Sequence, residues 1–96
     1  MNLYEIRNDF QNTIKQIRQN SGYIEYPKAI ISHVMVDRNT AMVHCGKGHS
    51  SADIAKMVVK NNLFIKFLNK YSLAARIEAN KKPSGIVDYY HILILL

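Results

Sequence analysis

The residue types able to do chemistry in this chain crowd into one short stretch, Val43-His44-Cys45-Gly46-Lys47-Gly48-His49-Ser50-Ser51-Ala52-Asp53. An apolar β-type run ends there in a lysine between two glycines, and serines lead into a helical pattern. Glycine lets the backbone turn tightly, a serine hydroxyl can cap the helix, and a helix start beside an ammonium group favours anions, phosphate above all. The spacing is not that of a P-loop or a dinucleotide fingerprint, so the implied chemistry is phosphate contact rather than a particular nucleotide. A plain strand-to-helix connection would use the same two glycines.

Cys45 stands beside His44 and near His49, residue types that suit a thiol nucleophile. Neighbours on a strand point to opposite faces, however, and His49 is reached only through the turn, so a buried, inert thiol is expected. If Val36 pairs with Ala41 across a hairpin, Met35 faces Met42 and His33 faces His44. Two such imidazoles could hold a transition metal with His49 or an acid, but no C-x-x-C or H-x-x-x-H spacing supports one. Glu5 and Asp9 share a helix face and Asp53 lies near a helix start; none forms the paired carboxylates that hydrolysis needs. No catalytic residue, metal or cofactor is assigned, and the chain is expected not to be an enzyme.

Basic residues are the remaining candidates. The chain carries 13 Lys and Arg against 7 Asp and Glu, a net charge of +6 over 96 residues. That excess suits a nucleic acid, DNA or RNA, or an acidic protein partner, and also occurs on ordinary soluble proteins. On an unbroken helix Lys56, Lys60, Lys66 and Lys70 fall within about 120° of arc, a stripe that Leu63 and Phe67 interrupt. Lys81-Lys82 precedes Pro83-Ser84-Gly85, a turn signal, and so sits at a hairpin tip. Tyr89 and Tyr90 take opposite faces of the strand that follows, where one can stack on a base or pack across its own hairpin.

The elements that must position these residues follow from periodicity. Leu3, Ile6, Phe10, Ile14 and Ile17 share one helical face, predicting a helix over 3–20 with Asn2 and Glu5 as a capping box and Asn20-Ser21-Gly22 as its stop. Tyr23 to Pro27 reads as irregular or edge structure. Ala29 to Val36 is β-rich, Asp37-Arg38-Asn39-Thr40 turns, and Ala41 to Cys45 returns. Helical pattern resumes at Ser51 and runs to about Asn69, with Ile54, Ala55 and Val58 inside and Lys56 and Lys60 opposite. Its apolar arc moves after Asn61-Asn62, so the helix there is either nearly all buried or broken. Leu73 to Ala79 alternates as a strand, Asn80 to Gly85 turns, and Ile86 to Leu95 is a long strand.

From Ala41 onward the chain resembles the Alba superfamily of small nucleic-acid-binding proteins. The matching features are the strand ending in Gly46-Lys47-Gly48, the serine-led helix with Ala52, Ile54, Ala55 and Val58 inside, and two strands joined by the basic tip Lys81-Lys82. The resemblance implies that Lys47, Lys81 and Lys82 contact the nucleic-acid backbone, from a homodimer. The N-terminal half departs from that family's order: the helix comes first, and Ala29 to Val36 adds a hairpin arm.

These observations predict one domain over 1–96, an α+β two-layer fold with two helices on a mainly antiparallel four-stranded sheet in the order α-β-β-α-β-β. A winged-helix domain is the alternative, with helices 51–60 and 63–71 and a wing tip at Asn80 to Gly85; it asks a largely apolar helix to enter a groove. The expected function is non-enzymatic binding of the nucleic-acid backbone with little sequence specificity, through Lys47, Gly48, Ser50, Lys56, Lys60, Lys81 and Lys82. The alternative is a small module that binds and modulates a host protein. Heavy use of Ile, Asn, Lys and Tyr suits an AT-rich genome, hence a phage, virus, plasmid or low-GC host. The single cysteine, the lack of a signal-peptide pattern in the opening helix and the shortness of the apolar His91–Leu96 run predict a cytoplasmic protein off the membrane. Ile92 to Leu96 is apolar on both faces, which predicts a homodimer with the C-terminal strand or the face of the second helix at the two-fold.

Overall fold

The computed structural model describes residues 2–20, 31–46 and 50–96. Helix α1 (Leu3–Asn20) buries Ile6, Phe10, Ile14 and Ile17, the face its spacing predicts. Asn2 caps it: the side-chain oxygen accepts from the Tyr4 N–H at 2.9 Å. The expected stop at Ser21-Gly22 and the segment Tyr23 to Pro27 lie outside the described residues.

Strands β1 (Ile31–Met35) and β2 (Thr40–Cys45) form an antiparallel hairpin, one residue out of the expected register. Met35 pairs with Ala41, Val34 with Met42, His33 with Val43 and Ser32 with His44, so neither the Met35–Met42 nor the His33–His44 pair forms. The loop explains the shift. The Asp37 carboxylate accepts from the Asn39 N–H at 2.6 Å, and from the Thr40 N–H and hydroxyl at 2.8 Å each. The Val36 N–H meanwhile donates to the Thr40 carbonyl at 3.0 Å. Thr40 thus joins the ladder, leaving a three-residue loop where four residues were expected. A slip of one residue sends partner side chains to opposite faces of the sheet.

The helical stretch after β2 is two helices, α2 (Ser50–Lys60) and α3 (Asn62–Lys70), so the fold holds three helices rather than two. Asn61 breaks it: its backbone is extended (φ −68°, ψ 132°), and its side chain accepts from the Leu63 N–H at 2.9 Å. The break turns Phe64 and Phe67 inward, and the Phe67 ring lies 5.8 Å from Phe10 of α1. Ser72, left-handed at φ 53°, closes α3 while the Leu73 N–H donates to the Leu68 carbonyl at 2.8 Å, a Schellman-type ending. The strand–helix–helix–hairpin connectivity that a winged helix requires is therefore present, within a larger sheet.

Strands β3 (Ala74–Lys81) and β4 (Val87–Leu95) complete a four-stranded, fully antiparallel sheet of order β1-β2-β4-β3. The architecture is the expected α+β two-layer one. Ile31, Ala41, Val43, Cys45, Ile92 and Ile94 are buried on the face under the helices. There α1 packs on β1, α2 on β4 and β2, and α3 on α1 and α2. On the helix side the apolar run of β4 is buried through Ile92 and Ile94, whereas Leu95, on the other face, stays exposed. With β2 and β3 on its two sides, β4 has no free edge to offer a second subunit. Cover thins at β3, where Ile77 on the helix-bearing face stays 38% exposed. Among the described residues no element covers the opposite face, on which Val34 and Leu95 are exposed. No helix among the described residues is long and apolar enough to cross a membrane.

Candidate nucleic-acid interface

The β3–β4 tip is built by its own backbone. The Lys82 N–H donates to the Ile86 carbonyl and the Gly85 N–H to the Lys82 carbonyl, both at 2.8 Å. Pro83 presets the first loop position, and Gly85 takes a left-handed conformation (φ 88°) that a side chain would resist. A register irregularity between Asn80 and Lys81 adds local twist. Lys81 and Lys82 are both exposed, and neither forms an ion pair among the described residues.

The start of α2 lies at the same end of the sheet. The β2–β4 ladder runs from Thr40 opposite Leu95 to His44 opposite His91, and there it stops. One residue further along β4, the Tyr90 N–H donates to the Ser51 hydroxyl at 2.7 Å. Ser51, one of the two serines that could cap the helix, is fully buried and bonds to the sheet; the side chain of Ser50, the other, lies outside the described structure. Gly46 (φ 75°) turns the chain out of β2, its N–H donating to His44 Nδ1 at 3.2 Å. The end of β2, the N-terminus of α2 and the Lys81-Lys82 tip therefore share one end of the molecule. The positive end of the α2 dipole faces the same end, with the two lysines three to four residues, about 10–13 Å, further along the hairpin.

The other expected contact residues are placed unequally. Lys47 and Gly48 lie outside the described residues, and Ser50 is described only as the first residue of α2. Lys56 and Lys60 are exposed on the outer side of α2. They stand about 8 and 14 Å beyond Ser51 along the axis at 1.5 Å per residue. Asp53 shares that side, so the stripe is not purely basic. Lys66 and Lys70 do not continue it, because the helix breaks at Asn61. Lys70 is also neutralised by Asp9, with Nζ 2.8 Å from Oδ2. The Tyr71 hydroxyl donates to the same oxygen. Hydrogen bonds from Lys70 and then Tyr71 hold the Asp9 carboxyl below its usual range, and Asp9 in turn raises both partners.

The histidine and thiol readings resolve through register. His33 points under the helices, its ring edge-on to Phe10 at 5.3 Å, and its Nδ1 is buried without a hydrogen-bond partner among the described residues. Burial, with the Arg18 charge second, lowers its pKa. His44 points to the open face, so the two imidazoles cannot share a metal ion. Cys45 is buried, and desolvation pushes its thiol up to about 12, which leaves no thiolate for chemistry near neutrality.

Sequence reasoning missed a row across the open face: His44 opposite His91, and His91 opposite Glu78 at 3.4 Å from Nε2 to Oε1. Tyr89 joins it, its ring 4.3 Å from His44 and its hydroxyl accepting from Asn80 Nδ2 at 2.9 Å. That tyrosine packs across its own hairpin. Also missed was a stripe on α3, where Asn62, Ile65, Lys66 and Asn69 are exposed together on a helix read as mostly apolar. Its i, i+3, i+4, i+7 spacing was available in the sequence, but only with the break at Asn61 in hand. No family model, curated protein or solved structure matches this chain.

Proposed function

We propose that the chain is a small, non-enzymatic, cytoplasmic protein that binds the phosphate backbone of nucleic acid with little sequence preference. The observation that carries the reading is the convergence at one end of the sheet. Lys81 and Lys82, exposed and without an ion pair among the described residues, lie toward that end, as does the N-terminus of α2, anchored by Ser51 on Tyr90. Two exposed cations on a hairpin that extends about 10 Å along β4 beyond the start of α2 form a phosphate-contacting surface that reads no bases. Lys56 and Lys60 extend it along α2, and the net charge of +6 supplies the long-range attraction. The Alba-like reading of the sequence names the same two lysines.

A mobility-shift titration at low salt against duplex DNA, single-stranded DNA and RNA tests this. At least one of them should bind, with affinity falling steeply as salt rises. Replacing Lys81 and Lys82 together by Ala should weaken binding about equally across sequences and lower the log–log salt slope by roughly two, one per lost phosphate contact. No shift with any of the three at low salt ends this reading and moves the weight to the protein-binding alternative.

A further inference from the structure

The edge of β3 carries a pattern that fits a second copy of itself. β3 pairs with β4 on one side only, so among the described residues its other side is a free edge. A free edge offers every second N–H and C=O to another strand. Ala75, Ile77 and Ala79 alternate on the helix-bearing face, and Arg76 and Glu78 on the open one. Ile77 is the large apolar residue of this strand that the helices leave 38% exposed.

Two copies of β3 placed antiparallel about a two-fold can keep both helix layers on one side of a joined sheet only if the axis passes through a residue pair. Centred on Arg76, the pairing sets Arg76 against Arg76 of the second copy; centred on Glu78, it sets Glu78 against Glu78. Like charges directly opposite are destabilising. Centred on Ile77, the large and charged side chains match: Ile77 meets Ile77, Arg76 meets Glu78 twice by symmetry, and Ala75 meets Ala79. The alanines on either side leave room for the two isoleucines. Within one chain Arg76 Nε lies 3.4 Å from Glu78 Oε2, and Glu78 Oε1 lies 3.4 Å from His91 Nε2 on β4, so both charges lie on the open face of the edge strand, within side-chain reach of a second strand laid beside it.

We propose that the chain forms a homodimer by antiparallel pairing of its β3 edges about Ile77, giving a continuous eight-stranded sheet. This moves the two-fold away from the C-terminal strand, which is interior. It also gives the nucleic-acid reading a geometry, and that part rests on the function proposed above. Lys82 lies five residues from the axis, so the two Lys82 positions stand about 33 Å apart at 3.3 Å per residue, close to one turn of a DNA duplex.

Sedimentation equilibrium of the nuclease-treated chain, with Arg76→Glu, Glu78→Arg and the double variant, tests the dimer without any nucleic acid. The expected mass is twice 11.0 kDa. Each single reversal turns two attractive pairs repulsive and should weaken the dimer roughly tenfold or more, and the double reversal should restore it. Under mild oxidation Ile77→Cys should cross-link, whereas Ala74→Cys should not, because the two positions 74 stand about 20 Å apart. Cys45 is buried and does not confuse the result. A strictly monomeric mass at micromolar concentration overturns the proposal, as does a dimer that ignores the charge reversals and leaves Ile77→Cys uncross-linked. The Lys81→Ala, Lys82→Ala variant should keep its dimer while losing nucleic acid, so the two proposals fail separately.

Discussion

The Tyr90 N–H donates to the Ser51 hydroxyl at 2.7 Å, joining the first turn of α2 to the central strand just where that strand runs out of its neighbour β2. With the Ser51 hydroxyl also donating to the Tyr90 carbonyl at 3.5 Å, the contact fixes the first turn of α2 on β4. Ser51 is fully buried, so water cannot replace its oxygen if it is removed. Ser51→Ala should therefore cost about 1–3 kcal/mol, the penalty of an unsatisfied buried donor. In a domain of this size that lowers the thermal midpoint by at least about 4 °C. A loss below about 0.5 kcal/mol in urea titrations would mean that the Tyr90 N–H has another acceptor.

The ends of α3 make opposite predictions. Asn61 caps its start through the Leu63 N–H, so Asn61→Ala should destabilise the protein by about 0.5–2 kcal/mol while Asn61→Asp retains most of the cap. Ser72 holds a left-handed backbone at φ 53°, which costs a residue with a Cβ about 1 kcal/mol or more. Ser72→Gly should therefore stabilise, by less than that amount because glycine loses more entropy on folding. Urea midpoints of the two variants should move in opposite directions.

His33 supplies a pH dependence. Its pKa is lowered in the fold by burial against α1, with Arg18 adding to the effect. Above about pH 6.5 the imidazole is neutral in both states and its contribution to stability is complete. Below that, the unfolded chain takes up a proton that the folded one refuses, so the contribution is lost as pH falls from the unfolded value to the lower folded one. His33→Phe keeps a ring against Phe10 and cannot titrate. Relative to this variant, the wild type should lose stability between pH 7 and pH 5, measured by urea unfolding at each pH. A constant difference across that range would show that His33 titrates normally in the fold.

Much of the fold was legible in the residue order. The spacing of Ile6, Phe10, Ile14 and Ile17 specified a helix and its buried face, because a 3.6-residue period admits one apolar stripe. Alternation marked β3, β-rich runs between turn signals marked β2 and β4, and Lys82-Pro83-Ser84-Gly85 marked a hairpin tip, because proline and glycine restrict the backbone locally. These are short-range properties, complete within a few residues.

What escaped was the choice of partner, which the pattern of apolar and polar residues does not carry. Alternation says which residues share a face, not which residue lies opposite. Three bonds to Asp37 drew Thr40 into the ladder, and with that His33 and His44 parted to opposite faces. The strand order puts β4 between β2 and β3 with α2 packed over it, so the C-terminal strand has no free edge. The break at Asn61 needed α1 in place, since Phe67 turns away from the axis of α2 to meet Phe10. For the candidate site, the lysines of the tip could be named from the sequence. Their neighbourhood with the start of α2 depends on a hydrogen bond between residues 39 positions apart, a contact that exists only once the sheet has assembled.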